Sequence, residues 1–294
     1  MAETLQSLRR GLDAADELLS VVKTMKGLAA VNIRQYDEAV RALRGYSRTI
    51  ELSFQVLLRG RPEIMAAAQQ AIGRLAIVAI GSDQGMCGPL NGRMAEHVNK
   101  TLAEAGPQEE KPLVLVAGGR LAAELDAAGR SVDALVTLPG SVGEITEHVR
   151  RLLWRIDEWR ERQGAQRVWV LHPRPESAAS YHPETVRLFP IDATWLGELA
   201  ARPWPTRMLP DFTMEAGALL DALVRQRVFT VLYRALAETL AAENAARLAA
   251  MQSAEKNIEE RLDGLHARFH QRRQSVITEE LLDVTAGFEV LKQQ

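Results

Sequence analysis

The 294-residue chain has a single cysteine, Cys87, so it can form neither an internal disulfide nor a structural zinc site, which fits a reducing compartment. Neither sign of charge dominates: 36 basic and 38 acidic side chains leave a formal net charge of -2, without the chain-wide basic excess that nucleic-acid binding uses. Long apolar runs are missing, since stretches such as Leu75 to Ile80 fall far short of the roughly 20 residues a membrane span needs. Met1 to Gly11 carries charges with no apolar segment behind it, so no signal peptide is expected. Apolar residues make up 47% and charged residues 25%, which excludes a disordered chain. A soluble, cytosolic chain with length for one or two cores is predicted.

Proline is absent from the first 61 residues and the last 84, and all 12 prolines fall between Pro62 and Pro210. Because proline costs a helix interior about 3 kcal/mol, two long helices flanking a compact insert are expected. The first arm carries a three-four apolar repeat: Leu5, Leu8, Leu12, Ala15, Leu19, Val22, Lys26, Ala29, Ile33, Tyr36, Val40, Leu43, Ser47, Ile50, Phe54 and Leu57. Only Lys26 and Ser47 interrupt it, and so sustained a repeat predicts a coiled coil. At 1.5 Å per residue such a helix would run roughly 80 Å, too far to be buried by the insert alone. The last arm supplies a partner stripe in Leu248, Met251, Glu255, Ile258, Leu262, Leu265, Phe269, Arg272 and Val276. That stripe then shifts by one residue to Ile277, Leu281, Val284, Phe288 and Leu291, a phase change that alters supercoiling or marks a new packing partner. Thr213 is the expected N-cap of this second helix, and Glu255 and Arg272 are expected to pair with the other arm or to face a surrounding protein.

Between the arms, Leu75–Ile80, Leu113–Val116 and Val168–Leu171 read as buried parallel strands, with Val186–Ile191 as an edge strand marked by Pro190. Helices are expected at about Asn91–Ala105, Arg120–Ala128 and Val142–Gln163, a loop or irregular hairpin at His172–Pro183, and a linker at Ala200–Pro210. The predicted fold is α/β: a long antiparallel two-helix coiled coil from both arms plus a small open Rossmann-like domain. Its segments are residues 1–61, 62–209 and 210–294.

Candidate chemistry is sparse. The loop Gly81-Ser82-Asp83-Gln84-Gly85-Met86-Cys87-Gly88 has glycines at its first, fifth and eighth positions, matching neither a P-loop nor a dinucleotide fingerprint. Its glycines are instead expected to permit tight strand-to-helix packing. Cys87 lacks a neighbouring base, the closest histidine in sequence being His97 in the next helix. Of six histidines only His266 and His270 share the i,i+4 spacing that chelates zinc, without the acidic residue of a metalloprotease between them. Glu259-Glu260 and Glu279-Glu280 lack an opposed carboxylate, Arg272-Arg273 is a weak anion signal, and Trp154 and Trp159 are expected to pack on the sheet, Trp154 above all. No catalytic residue, cofactor site or metal site follows from these residues.

Three segments nevertheless form a pattern. Lys23-Thr24-Met25-Lys26-Gly27-Leu28-Ala29-Ala30, Ser82 to Asn91, and the last arm's Leu232 to Glu238, Glu243 to Met251 and Arg273 to Leu281 occur in order. Together they resemble the gamma subunits of rotary F-type ATP synthases over nearly the whole chain. The resemblance implies a central-stalk rotor shaft whose tip enters a hexameric ring of alpha and beta subunits, and whose foot sits on the membrane c ring beside epsilon. It also implies no active site of its own, no cofactor, no membrane insertion, and a place at the cytoplasmic face of the bacterial inner membrane. By the same resemblance Lys23, Met25, Arg273, Gln274 and Thr278 are expected to contact the ring. The chain departs from the family pattern at Val22, Asn32, Gln84, Pro89 and Ser253–Asn257, and lone Cys87 argues against thiol control. The competing expectations are a self-associating coiled-coil scaffold and a small α/β enzyme with helical dimerisation arms.

Overall fold

The computed structural model describes residues 4–59, 61, 73–106, 110–176, 180–208 and 210–292, with side chains to residue 285 in the last stretch. The expected segment boundaries at 62 and 209, and the side chains of Phe288 and Leu291, lie outside the described residues. The elements run α1 (Leu5–Leu58), β1 (Leu75–Ile80), α2 (Leu90–Glu104), β2 (Leu113–Ala117), α3 (Gly119–Ala127), β3 (Ala134–Val136), α4 (Ile145–Arg162), β4 (Arg167–Pro175), β5 (Tyr181–Phe189), α5 (Ala193–Ala201) and α6 (Ala216–Lys292). By compactness the chain forms two units, residues 1–28 with 248–294, and residues 29–247.

Every position of the repeat read along α1 is buried or half-buried, and none is exposed. Within the first unit Leu12 and Ala15 pack with Leu262, flanked by Leu19, Ile258, Leu265 and Phe269. Gly11 lies so near Leu265 that a Cβ there would meet its methyls at 3.8 Å, whereas Lys26 meets Glu255. Advancing along α1 therefore means retreating along α6, and the pair is antiparallel. The one charged member of each stripe here is used against the other: Lys26 bonds Glu255, and Lys23 adds a 3.5 Å contact to Glu259. A polar pair inside an apolar seam fixes register. Arg272 behaves differently, pairing with Glu279 of its own helix at 3.6 Å. Past Val276 the shifted stripe is uncovered, with Ile277, Leu281 and Val284 all exposed.

The second unit holds a five-stranded sheet of order β3-β2-β1-β4-β5, parallel except for the β4–β5 pair. Alternation along β1 divides the core. Leu75, Ile77 and Ala79 pack with Met94, Val98, Leu121 and Leu125 of α2 and α3. Ala76, Val78 and Ile80 pack with α4 and with Leu232, Leu236 and Leu240 of α6. Burial on both faces explains the unbroken apolar runs of the central strands. A further cluster joins Ile50, Phe54 and Leu57 of α1 to Leu196 and Leu199 of α5, with Phe54 and Trp195 edge to face at 5.4 Å.

Of the loop or irregular hairpin expected at His172–Pro183, the hairpin is what forms: Pro173 and Pro183 face each other across β4–β5 at the sheet edge, where a missing N–H is tolerated. Three expectations need correction. The linker expected from Ala200 starts later, because helix α5 runs to Ala201; Asp192 starts that helix, its carboxylate accepting the Thr194 N–H at 2.8 Å. Thr213 does not cap α6: Glu215 accepts the Ala218 N–H at 2.8 Å instead, and these backbone donors hold its carboxyl below the usual range. Trp159, not Trp154, packs on the sheet; Ile145, Val149, Leu152, Ile156 and Trp159 form the inner face of α4, leaving Trp154 outside beneath the Arg155 guanidinium.

Replacing Leu262 by alanine should weaken the helical pair by about 2–5 kcal/mol, seen as earlier loss of helical circular dichroism in urea. Leu281→Ala, on the uncovered stripe, should shift the same transition by about 0.5 kcal/mol or less. Equal effects would contradict the assigned seam.

Candidate functional site at the seat of the C-terminal helix

The strand order reverses at β1: the chain runs outward through β2 and β3 on one side, then crosses back to β4 on the other. In open α/β sheets a ligand crevice lies outside the strand ends at that reversal. Here the chain fills it with its own helix. Cys87 and Leu90, from the loop and helix after β1, pack against Ala242 and Ala246 of α6, with Tyr181 alongside. Alanines at these positions let the α6 backbone approach closely.

Polar groups fasten this seat. Buried Arg247 bonds Glu243 one turn earlier, and its Nη2 donates to the Gly85 carbonyl at 3.4 Å. Asn32 of α1 donates to Asn244 at 3.3 Å, bringing the first helix to the same place. The Asp83 carboxylate accepts the N–H groups of Gly119 and Leu138, both at 2.6 Å, tying the β1 loop to the segments following β2 and β3. Ser82 and Asn91 close the loop on itself, Ser82 N–H donating to Asn91 Oδ1 at 3.0 Å and Asn91 Nδ2 returning to Ser82 Oγ at 2.8 Å. Between these groups lies a polar cavity of about 150 Å³ bounded by Tyr36, Asp83, Gln84, Glu243 and Arg247. Burial raises the Glu243 carboxyl above its ordinary value, and Arg247 opposes that rise. Tyr36 is raised by burial first and by Glu243 second.

Of the loop glycines, Gly81 serves strand-to-helix packing, as expected, and Gly88 serves the turn. A Cβ on Gly81 would meet Leu121 Cβ at 2.5 Å, and Gly88 adopts φ 58°, a left-handed turn. Cys87 is buried beside Ser82, with Sγ to Oγ 3.5 Å, while His97 instead meets Thr185 at 2.8 Å. No base therefore faces the thiol among the described residues. His266 and His270 are exposed on α6, and Glu259, Glu260 and Glu279 sit near Lys23, Lys256 and Arg272.

The five expected ring-contact residues lie in the first unit, away from this seat in the sequence. Lys23 is half-exposed and engaged with Glu255 and Glu259, and Met25 is half-buried. Arg273, Gln274 and Thr278 are exposed, Thr278 Oγ1 donating to the Gln274 carbonyl at 2.9 Å. Residue reasoning missed the Asn32–Asn244–Arg247–Glu243 network; the i,i+4 spacing of Glu243 and Arg247 is the one local signal that could have found it.

Fold and site define a Rossmann-like body whose switch-point crevice is occupied by a helix of the same chain, with both chain ends given over to long helices. A family model described as ATP synthase matches residues 4–291. The ATP synthase gamma chain of Rubrobacter xylanophilus is 26% identical over 291 residues, 98% of either chain. Two solved structures share the fold. The Euglena gracilis mitochondrial ATP synthase OSCP/F1/c-ring assembly contains a chain with TM-score 0.67, 19% identity, and coverage of 98% of this chain and 94% of that one. The Tetrahymena thermophila mitochondrial central stalk/c-ring contains one with TM-score 0.56, 17% identity, and coverage of 80% and 99%. The chain belongs to the ATP synthase gamma-chain family. No described helix is long and apolar enough to cross a membrane.

Removing the Arg247 guanidinium should leave a buried carboxylate unpaired, so Arg247→Met should cost about 3–5 kcal/mol at pH 7. Glu243→Gln in the same chain should restore most of it. A raised folded pKa means the stabilisation from protonated Glu243 is complete below 4.5 and is lost as pH rises through the folded value. The Arg247→Met penalty in chemical denaturation should therefore be smaller near pH 4.5 than at pH 7; a penalty independent of pH would contradict the assignment.

Proposed function

We propose that the chain is the central-stalk rotor shaft of an F-type ATP synthase and carries out no chemistry itself. It couples ion-driven rotation of a membrane c ring to the conformational cycling of catalytic beta subunits. The observation that carries this reading is the occupied crevice: where an α/β enzyme of this topology would receive its ligand, α6 is seated by alanine packing and the Arg247–Glu243 pair. A turning helix seated in this way drags the body with it, since Asp83, Gly85 and Asn32 bind the neighbouring segments. The antiparallel seam adds stiffness, because each helix resists bending only while its apolar stripe is covered.

The proposed partners are the alpha and beta subunits, epsilon and the c ring. The proposed working division is N-terminal helix 1–61, body 62–209 and C-terminal helix 210–294. We assign ring contact to Lys23, Met25, Arg273, Gln274 and Thr278. Arg273, Gln274 and Thr278 stand on an exposed face of α6, next to the apolar Ile277, Leu281 and Val284. Apolar contacts are non-directional and allow the helix to turn past similar walls, while the three polar residues add the oriented contacts that define dwell angles. The proposed place is the cytoplasmic face of the bacterial inner membrane, peripheral through the complex.

Double replacement of Arg273 and Gln274 by alanine should lower ATP synthesis in coupled vesicles while leaving the helical content of the purified chain unchanged. Unaltered synthesis would remove these two residues from the mechanism. Purified chain should also bind no adenine nucleotide in equilibrium dialysis; stoichiometric binding would favour the enzyme reading.

A further inference from the structure

A buried cluster in the second unit, separate from the α6 seat, has polar atoms left without partners. His172 of β4 faces Glu184 of β5 in strand register, and Glu238 of α6 closes the third side. The His172 side chain is 3% exposed and that of Glu238 9%. Each carboxylate is divided between two neighbours. Arg174 donates to Glu184 Oε1 at 2.9 Å and Arg234 to Glu238 Oε1 at 2.7 Å. Both remaining oxygens face the imidazole: Glu184 Oε2 lies 3.5 Å from Nε2, and Glu238 Oε2 3.8 Å from Nδ1. These distances are too long for hydrogen bonds, and His172 Nδ1 and Glu238 Oε2 are buried with no partner.

A neutral imidazole has one N–H to offer two carboxylates, so an unshared ring lone pair must face an electron-rich oxygen. An electrophile placed between the groups resolves the conflict. We propose that His172, Glu184 and Glu238 form a binding site for a divalent transition cation of the zinc class.

The donor set suits such an ion, which accepts imidazole nitrogen and carboxylate oxygen together. One ligand atom from each residue lies within 4.8 Å of the others. Adjacent ligands around zinc stand roughly 3.3 Å apart at bonds of about 2.0–2.2 Å. One ion takes a single imidazole nitrogen and the two carboxylates face different ones, so closing the site asks Glu184 on the edge strand to swing from Nε2 toward an ion held by Nδ1 and Glu238. Arg174 and Arg234 hold the outer carboxylate oxygens, the orienting role that outer-shell partners play at metal sites. A cavity of about 570 Å³ reaches Glu238; Asp37 and Glu51 line it, as do Arg44, Arg48, Arg174 and Arg234. Those arginines limit the attraction for a cation, so affinity should be on the order of micromolar rather than nanomolar. The bound ion would fasten the β4–β5 hairpin to α6 as a cross-link.

The test uses untagged, full-length chain titrated with Zn2+ in competition with a chromophoric chelator, alongside thermal unfolding. One Zn2+ per chain with micromolar affinity and a raised Tm is expected. His172→Gln, Glu238→Gln and Glu184→Gln should each weaken binding by about tenfold or more. Glu184 is only partly buried, so its variant keeps the test decisive should the buried substitutions unfold the chain. The His266→Gln, His270→Gln double variant, on the exposed face of α6, should bind as the parent does. Absence of stoichiometric binding, unchanged affinity in a folded cluster variant, or loss of binding in the double surface variant would each overturn the site.

Discussion

Everything in this molecule depends on one apolar stripe being covered. A helix of 54 residues cannot keep a seam of leucine, valine and isoleucine in water, and the chain meets that requirement with its own other end. In the first unit the cover is Leu262 and its neighbours, registered by Lys26 against Glu255. In the second it is the sheet-facing part of α6 together with α5. Because the seam is satisfied within one chain, the stripe has no call for a second copy, and this weighs against a self-associating scaffold. Where the cover ends, at the shifted stripe from Ile277 onward, apolar side chains face outward, as a surface that meets other subunits would require.

A second constraint follows from the sheet. A sheet of order β3-β2-β1-β4-β5, parallel but for its β4–β5 edge, leaves a crevice at β1, and such a crevice ordinarily takes a ligand. Here alanines on α6 enter it, and the Arg247–Glu243 pair locks the helix to the Gly85 carbonyl. The loop after β1 is thereby fastened to a helix of the same chain. The same substitution of helix for ligand explains why the loop after β1 keeps glycines for packing yet lacks the spacing that phosphate binding demands.

Much of this was legible in the residues. The α1 repeat predicted its helix to within a residue at the C-terminal end, since periodicity, unlike a cap, is written many times over. The three central strands were legible because burial on both faces leaves unbroken apolar runs. Short β3, Ala134–Val136, was not, being only half-buried and three residues long. The β4–β5 hairpin was obscured by Pro173, Pro175 and Pro183, which signal loops but are tolerated at a sheet edge. Trp154 misled because aromatic size was weighed above helical phase. The polar network at the α6 seat had one local signal, the i,i+4 spacing of Glu243 and Arg247, whereas the cluster of His172, Glu184 and Glu238 unites residues distant in sequence, so no spacing rule could reveal it. The histidine pair that spacing did favour, His266 and His270, stands in solvent.

The antiparallel pairing of α1 with α6 is tested most directly by cysteine cross-linking. Cysteines placed at Gly11 and Leu265, where a Gly11 Cβ would lie 3.8 Å from the Leu265 methyls across the seam, would be introduced into a Cys87→Ser background and joined directly or by a short bis-thiol reagent. The account predicts a cross-link within each molecule, at monomer mass and in high yield. Cross-linked species formed only between molecules, or none at all in the folded chain, would contradict it.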